Sequence, residues 1–166
     1  ADMPPVGGGS GQPPPTMRQV EKILWGEIRS QYASALYPLG GRCLGTEIKI
    51  GPKWYALGFA SDKPDNFQGF HERNILVIVD EPSGVEDSTF EPIEGIMTNE
   101  NARLLLIGNP VRDTGYFAES FEKDSFYKIH IDCLDSPNVL AGKEVIPGLV
   151  SMRWVEERKE EWGEDS

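Results

Sequence analysis

With 166 residues, 39% of them apolar and 26% charged, the chain suits one soluble α/β domain with a sizeable core rather than a disordered or membrane-embedded polypeptide. A net charge of −11, from 16 basic and 27 acidic residues, argues against a large self-sufficient nucleic-acid surface. It leaves room for a local basic patch, or for DNA contacts made by another domain or subunit.

Residues 1–15 contain Gly7-Gly8-Gly9-Ser10-Gly11 and Pro13-Pro14-Pro15, a composition that buries little surface and reads as a flexible arm. The glycines are not a phosphate loop. That loop needs Gly-Lys-Ser/Thr, because the lysine meets the β/γ-phosphates and the hydroxyl meets magnesium, and Gly11 is followed by Gln12. Neither a basic start nor an apolar stretch marks a signal peptide, and no apolar run approaches the ~18 residues of a membrane span. Cys43 and Cys133 lie far apart and outside any CxxC spacing, which favours a reducing, intracellular setting without structural zinc.

Order is expected from Thr16. Thr16 and Gln19 have capping-box spacing, and Val20, Ile23, Leu24, Ile28 and Gln31 or Tyr32 then repeat at helical intervals, predicting an amphipathic helix to about Tyr32. Gly40-Gly41 punctuates the chain. Residues 47–50 and 53–59 read as strands of a hairpin joined by Gly51-Pro52, and the polar stretch 61–70 as a loop.

The core signal follows. Ile75-Leu76-Val77-Ile78-Val79 is unbroken and mostly β-branched, the pattern of a parallel strand covered on both faces. Leu104-Leu105-Leu106-Ile107 is a second such run, ending at Gly108-Asn109-Pro110, and residues 126–131 predict a third strand ending near Asp132. Between the first two, Phe90, Ile93, Ile96 and Met97 mark a helix starting near Asp87 or Ser88, with Pro92 tolerable only near its first turn. A short helix over 117–121 and an acidic helix over 151–162, opened by a serine cap, complete the series. Strand, helix, strand, helix, strand is the rhythm of a doubly wound α/β fold with a mainly parallel sheet.

Such sheets bind ligands beyond the carboxyl ends of their strands, where Asp80 and Glu81 stand. Adjacent acids at a strand end point in different directions, so one can hold a metal while the other orients and deprotonates a water. The plain alternative is a pair of acids ending a strand in solvent. Asn109 could bond a γ-phosphate or the attacking water, or belong to an ordinary Gly-Asn-Pro turn. Arg112 and Arg73 could meet phosphate or reach a neighbouring subunit, or form surface ion pairs. Gln68, in the polar loop, could contact nucleotide or DNA. His71 reads as a loop residue, His130 as structural, and Trp25, Trp54, Trp154 and Trp162 as packing or interface residues, since no basic residues interleave them.

Taken in order, residues 15–20 (Pro-Thr-Met-Arg-Gln-Val), Ile75 to Glu81, and Ala102-Arg103-Leu104-Leu105-Leu106-Ile107-Gly108-Asn109-Pro110 resemble the ATPase domain of bacteriophage large terminase subunits. Gly115-Tyr116-Phe117 and Ile129-His130-Ile131-Asp132-Cys133 extend the likeness, which runs from about Thr16 to the last residue. The resemblance implies a RecA-like, ASCE-type P-loop ATPase core, here partial, over 16–166. It implies that Asp80 is the Walker B aspartate holding Mg2+, that Glu81 activates water for ATP hydrolysis, and that Gly108-Asn109-Pro110 is the coupling motif. From the residues themselves, Gln68 and Arg112 are the candidates for nucleotide contact, and the resemblance adds that a neighbouring subunit can donate an arginine. The implied partners are double-stranded DNA, other large-terminase subunits in a ring, the small terminase and the portal protein, in the cytoplasm of an infected bacterium.

The departures weigh as much. No Gly-Lys-Ser/Thr occurs anywhere, and Gly142-Lys143 is followed by Glu144. The family's nuclease domain has no counterpart in these residues either, so the expectation is a Walker B half that does not hydrolyse ATP alone. Two alternatives stay open: a helicase-like NTPase piece, disfavoured by Pro82-Ser83 after the acids, and an inactive binding or structural module. Nuclease chemistry at Asp80 and Glu81 would need further carboxylates, with Asp132 and Asp135 the candidates by position.

Overall fold

The computed structural model describes residues 17–60 and 69–162 and divides the chain into two compact units, Ala1–Lys123 and Asp124–Ser166. In the first unit, helix α1 (Met17–Gln19) passes through a π-turn (Val20–Leu24) into α2 (Trp25–Ser34). The amide of Trp25 donates to the Val20 carbonyl five residues back, so one extra residue enters the turn. That insertion corrects the predicted apolar face. Val20 and Trp25 are buried and pack with Ala60, Ile28 and Ile48, while Ile23 is 69% exposed. Gly58 lies under the indole, where a Cβ would fall 1.7 Å from Trp25 Nε1. Thr16, the expected cap, lies outside the described residues.

Strands β1 (Arg42–Leu44), β2 (Glu47–Gly51) and β3 (Trp54–Leu57) form an antiparallel meander. The β2–β3 hairpin was legible from Gly51-Pro52; three-residue β1 is too short to show alternation. Ile48 pairs with Cys43 and Ala56 on the face toward Trp25, while Arg42, Lys49 and Tyr55 form one row on the other. Like charges directly opposite each other repel. Lys49→Thr is therefore expected to raise stability by ~0.2–1 kcal/mol, read as a higher denaturation midpoint, and a lower midpoint would contradict the register argument.

β4 (Ile75–Asp80) and β5 (Ala102–Ile107) pair in parallel, in register from Ile75 opposite Ala102 to Asp80 opposite Ile107. Their connection holds short 3-10 turns at Pro82–Gly84 and Asp87–Thr89 and then α3 (Phe90–Ile96). Pro92 is the third residue of α3, where its missing N–H forfeits no helical bond. Phe90, Ile93 and Val85 are buried against Val77, Val79, Leu104 and Leu106 from one face of the pair. The other face departs from expectation: Leu76 is 61% exposed and Ile78 56%, with Leu105 and Ile107 also open. The first unit ends in α4 (Tyr116–Glu122), whose first amide is capped by Asp87 Oδ1 at 2.9 Å.

In the second unit the predicted strand over 126–131 does not form. The residues alternate correctly, but a strand exists only by pairing, and Tyr127 (90%) and Ile131 (85%) stand exposed. The unit is instead organised by α5 (Pro137–Ala141) and α6 (Met152–Trp162) around Asn138, 1% exposed. Its amide nitrogen donates to the carbonyls of Ile146 and Leu149, and its oxygen accepts from the amides of Val145 and Ile146. Ser151 caps α6 as expected, accepting from the Trp154 amide at 3.3 Å. The fold is mixed α/β, and among the described residues three of five strands are antiparallel, so the sheet structure is not mainly parallel.

Candidate functional site

Parallel pairing carries β4 and β5 to a common carboxyl edge, and the Glu81 amide extends the ladder by donating to the Ile107 carbonyl at 2.8 Å. Asp80 is exposed there, alternating onto the same face as Leu76 and Ile78. Glu81 then turns sharply. Its backbone sits at φ 51°, ψ 51°, left-handed, and it is the one non-glycine residue with positive φ among the described residues. Such a conformation costs on the order of 1–3 kcal/mol and persists only where surroundings enforce it. Here the Ile107 carbonyl holds its amide, the Gly84 amide donates to its carbonyl at 3.0 Å, and Pro82 is buried behind it.

The turn directs the Glu81 side chain toward the loop after β5. A Cβ added at Gly108 would lie 3.5 Å from Glu81 Oε2, 3.2 Å from Glu81 Cα and 2.8 Å from Pro82 Cδ. Only glycine lets the two loops approach this closely. The predicted pieces Asp80, Glu81 and Gly108-Asn109-Pro110 are thus brought to one edge.

Sequence reasoning missed Ser83. It is 9% exposed, and its hydroxyl donates to the Asn109 carbonyl at 2.8 Å, joining the two loops. A serine in a Pro-Ser-Gly turn carries no signal of a partner so far along the chain.

The remaining candidates fall elsewhere. Asn109 and Arg112 are exposed on the loop after β5. No ion pair joins Arg112 to either acid among the described residues. Gln68 lies outside the described residues. Arg73 and His71 line a shallow depression with Thr98, Asn99 and Asn101 at the amino ends of the strands. A six-residue strand, at ~3.3 Å per residue, separates them from Asp80 by roughly 20 Å, so Arg73 does not serve a phosphate at its own Asp80. Of the tryptophans, Trp25 packs in the core as expected and Trp154 lies under the Arg158 guanidinium; the Trp162 side chain lies outside the described residues. His130 is exposed rather than set in a strand.

Chemically, among the described residues the edge offers carboxylate oxygens and no histidine or cysteine ligands. No group of three or more His, Cys, Asp or Glu residues converges among the described residues, which leaves the two-metal nuclease reading without support there. Asp132 instead caps its own turn, accepting from the Leu134 amide at 2.8 Å, and this bond holds its carboxyl below the usual range. One or two carboxylates on a hydrated edge suit magnesium, which keeps several waters and takes its other ligands from phosphates. Among the described residues, no helix is long and apolar enough to cross a membrane.

The chain is 33% identical over 156 residues to a protein of Enterobacteria phage P7 described as "Probable terminase, large subunit". The alignment covers 88% of this chain and 31% of that protein, so the chain spans about a third of its relative's length. No family model matches, and no solved structure matches.

Proposed function

The chain belongs to the terminase large-subunit family, and from that premise we propose that it supplies the metal-and-water half of the ATPase site of a phage DNA-packaging motor. The observation that carries the reading is Glu81, held in a strained left-handed turn beside Asp80 at the end of a strand and pressed against Gly108. Backbone strain of this kind concentrates at working sites, and inert acids ending a strand have no need of it.

In this reading residues 16–166 belong to a partial RecA-like ATPase domain. Asp80 is the Walker B carboxylate that holds Mg2+, and the cation, when bound with nucleotide, neutralises charge on the transferred phosphoryl group. Glu81 orients the attacking water and takes its proton. Asn109 reaches the γ-phosphate or that water from the facing loop, and Arg112, with Gln68, contacts nucleotide in the same or a neighbouring subunit. The residues fit the cation but not the whole nucleotide. With no Gly-Lys-Ser/Thr in the sequence, these 166 residues alone do not cradle the phosphates, and we expect negligible ATP hydrolysis from them alone. Double-stranded DNA, further large subunits in a ring, the small terminase and the portal are the partners of this reading, in the host cytoplasm.

The test is the magnesium dependence of ATP turnover in a large subunit carrying these residues. A unit charge ~4 Å from a doubly charged cation is worth ~8 kcal/mol at an effective dielectric of 20, twice the value for two unit charges. Asp80→Asn is therefore expected to raise the half-saturating Mg2+ concentration by at least about tenfold, which takes only ~1.4 kcal/mol. Unchanged rate and magnesium dependence would remove Asp80 from the site and leave this segment as a binding or structural part of a subunit whose hydrolysis is carried by other residues.

A further inference from the structure

We infer that Ser83 is a positioning residue whose hydroxyl couples the loop carrying Asn109 to the Asp80–Glu81 turn, so that the two sides of the site move together. The inference rests on the ATPase reading of Asp80 and Glu81 and adds the contact by which one loop senses the other.

The backbone ladder between the strands ends where the Glu81 amide meets the Ile107 carbonyl. Beyond that point, the Ser83–Asn109 bond is the one hydrogen bond joining 82–84 to 108–110 among the described residues. Its setting makes it selective. Ser83 is largely buried and the bond is partly shielded from water, so a donor that loses its acceptor here bears part of the desolvation cost, and a moving 108–110 loop draws the turn with it or gives up that contact. The Asn109 carbonyl also accepts from the Val111 amide at 2.9 Å, so both its lone-pair positions are engaged and the backbone that aims the Asn109 side chain is fixed.

Packing reinforces the bond. Pro82 and Gly108 are so close that a single Cβ would collide, leaving no slack in which the turn could move alone. Glu81, one residue before Pro82, is held left-handed by the same turn. A shift at the acidic turn, as when a metal or phosphate is gained or lost, therefore displaces Asn109. The reverse holds too.

The experiment is steady-state ATP turnover by a large subunit carrying these residues, with Glu81→Gln as reference. Misplacing a catalytic group by about 1 Å costs up to ~10²-fold, so Ser83→Ala is expected to lower kcat by ~10–100-fold with KM for ATP unchanged. Ser83→Thr, which keeps the hydroxyl, restores most of that loss. Because Ser83 acts through Asn109, Ser83→Ala adds nothing further once Asn109→Ala is present. If the alanine variant folds poorly, amide exchange of Val111 in Ser83→Cys reads the same contact: it quickens there while residues 75–80 stay protected. A kcat within twofold of wild type, a loss confined to KM, or full additivity with Asn109→Ala overturns the inference while the reading of Glu81 stands. Turnover that survives Glu81→Gln overturns the ATPase reading itself.

Discussion

Glu81→Gln lowers ATP turnover by roughly 10²–10⁴-fold in a terminase large subunit carrying these residues, while nucleotide binding persists. The amide keeps the side chain's length and can still orient a water, but it does not take the proton. The position allows a control that most active-site acids lack. At φ 51° a glycine relieves backbone strain that glutamate and glutamine both bear. Glu81→Gly should therefore abolish turnover without lowering the denaturation midpoint, separating the chemistry from the fold. Wild-type turnover in Glu81→Gln would overturn the ATPase reading of this edge. Loss of ATP binding together with turnover would make Glu81 a ligand rather than a base.

What the sequence disclosed, and what it hid, follows the range of the interactions. Ile75 to Val79 announced a strand because five consecutive apolar residues suit little else, though not that one of its faces would stay open, and the acids at its end placed the candidate site. The helix around Phe90 and the serine cap at Ser151 were legible because capping and apolar spacing act within a few residues. The left-handed turn at Glu81 was not. Glutamate has no local preference for that region, and the turn is imposed by the Ile107 carbonyl and by Pro82. Ser83 was silent for the same reason: its acceptor lies across the sheet edge. The π-turn defeated strict helical spacing by one residue, exchanging Ile23 for Trp25. Residues 126–131 show the converse error, since alternation states only what a strand would bury if a partner were paired with it.

Phe90→Ala is expected to remove ~3–5 kcal/mol of stability, a large share of the 5–15 kcal/mol that holds a typical domain. Phe90 is 1% exposed and sits at the centre of the cluster that joins α3 to Val77 and Val79 of β4 and to Leu104 and Leu106 of β5. The loss is hard to absorb because Leu76, Ile78, Leu105 and Ile107 on the opposite face are exposed, so among the described residues no second core lies behind these strands. With m of ~1–3 kcal/mol/M, the urea midpoint should fall by at least about 1 M. A second readout reports whether the cavity forms where the packing says it does. The Phe90 ring stacks on Tyr116 with centroids 4.1 Å apart and planes within 4°. Burial pushes the Tyr116 phenol up to about 12 from 10.0, and its hydrogen bond to Glu94 and the charges of Glu94 and Glu119 add to the rise. A raised folded-state value means that this contribution is fully present below pH 10 and is lost as pH climbs toward 12. Removing Phe90 opens one side of the phenol to water, so in the folded fraction Tyr116 should titrate closer to its ordinary value, and the variant should lose less stability than wild type across that window. Tyrosinate absorbance followed through an alkaline titration separates the outcomes: a Tyr116 still titrating near 12 in the alanine variant would mean that Glu94, rather than the packed ring, holds the phenol neutral.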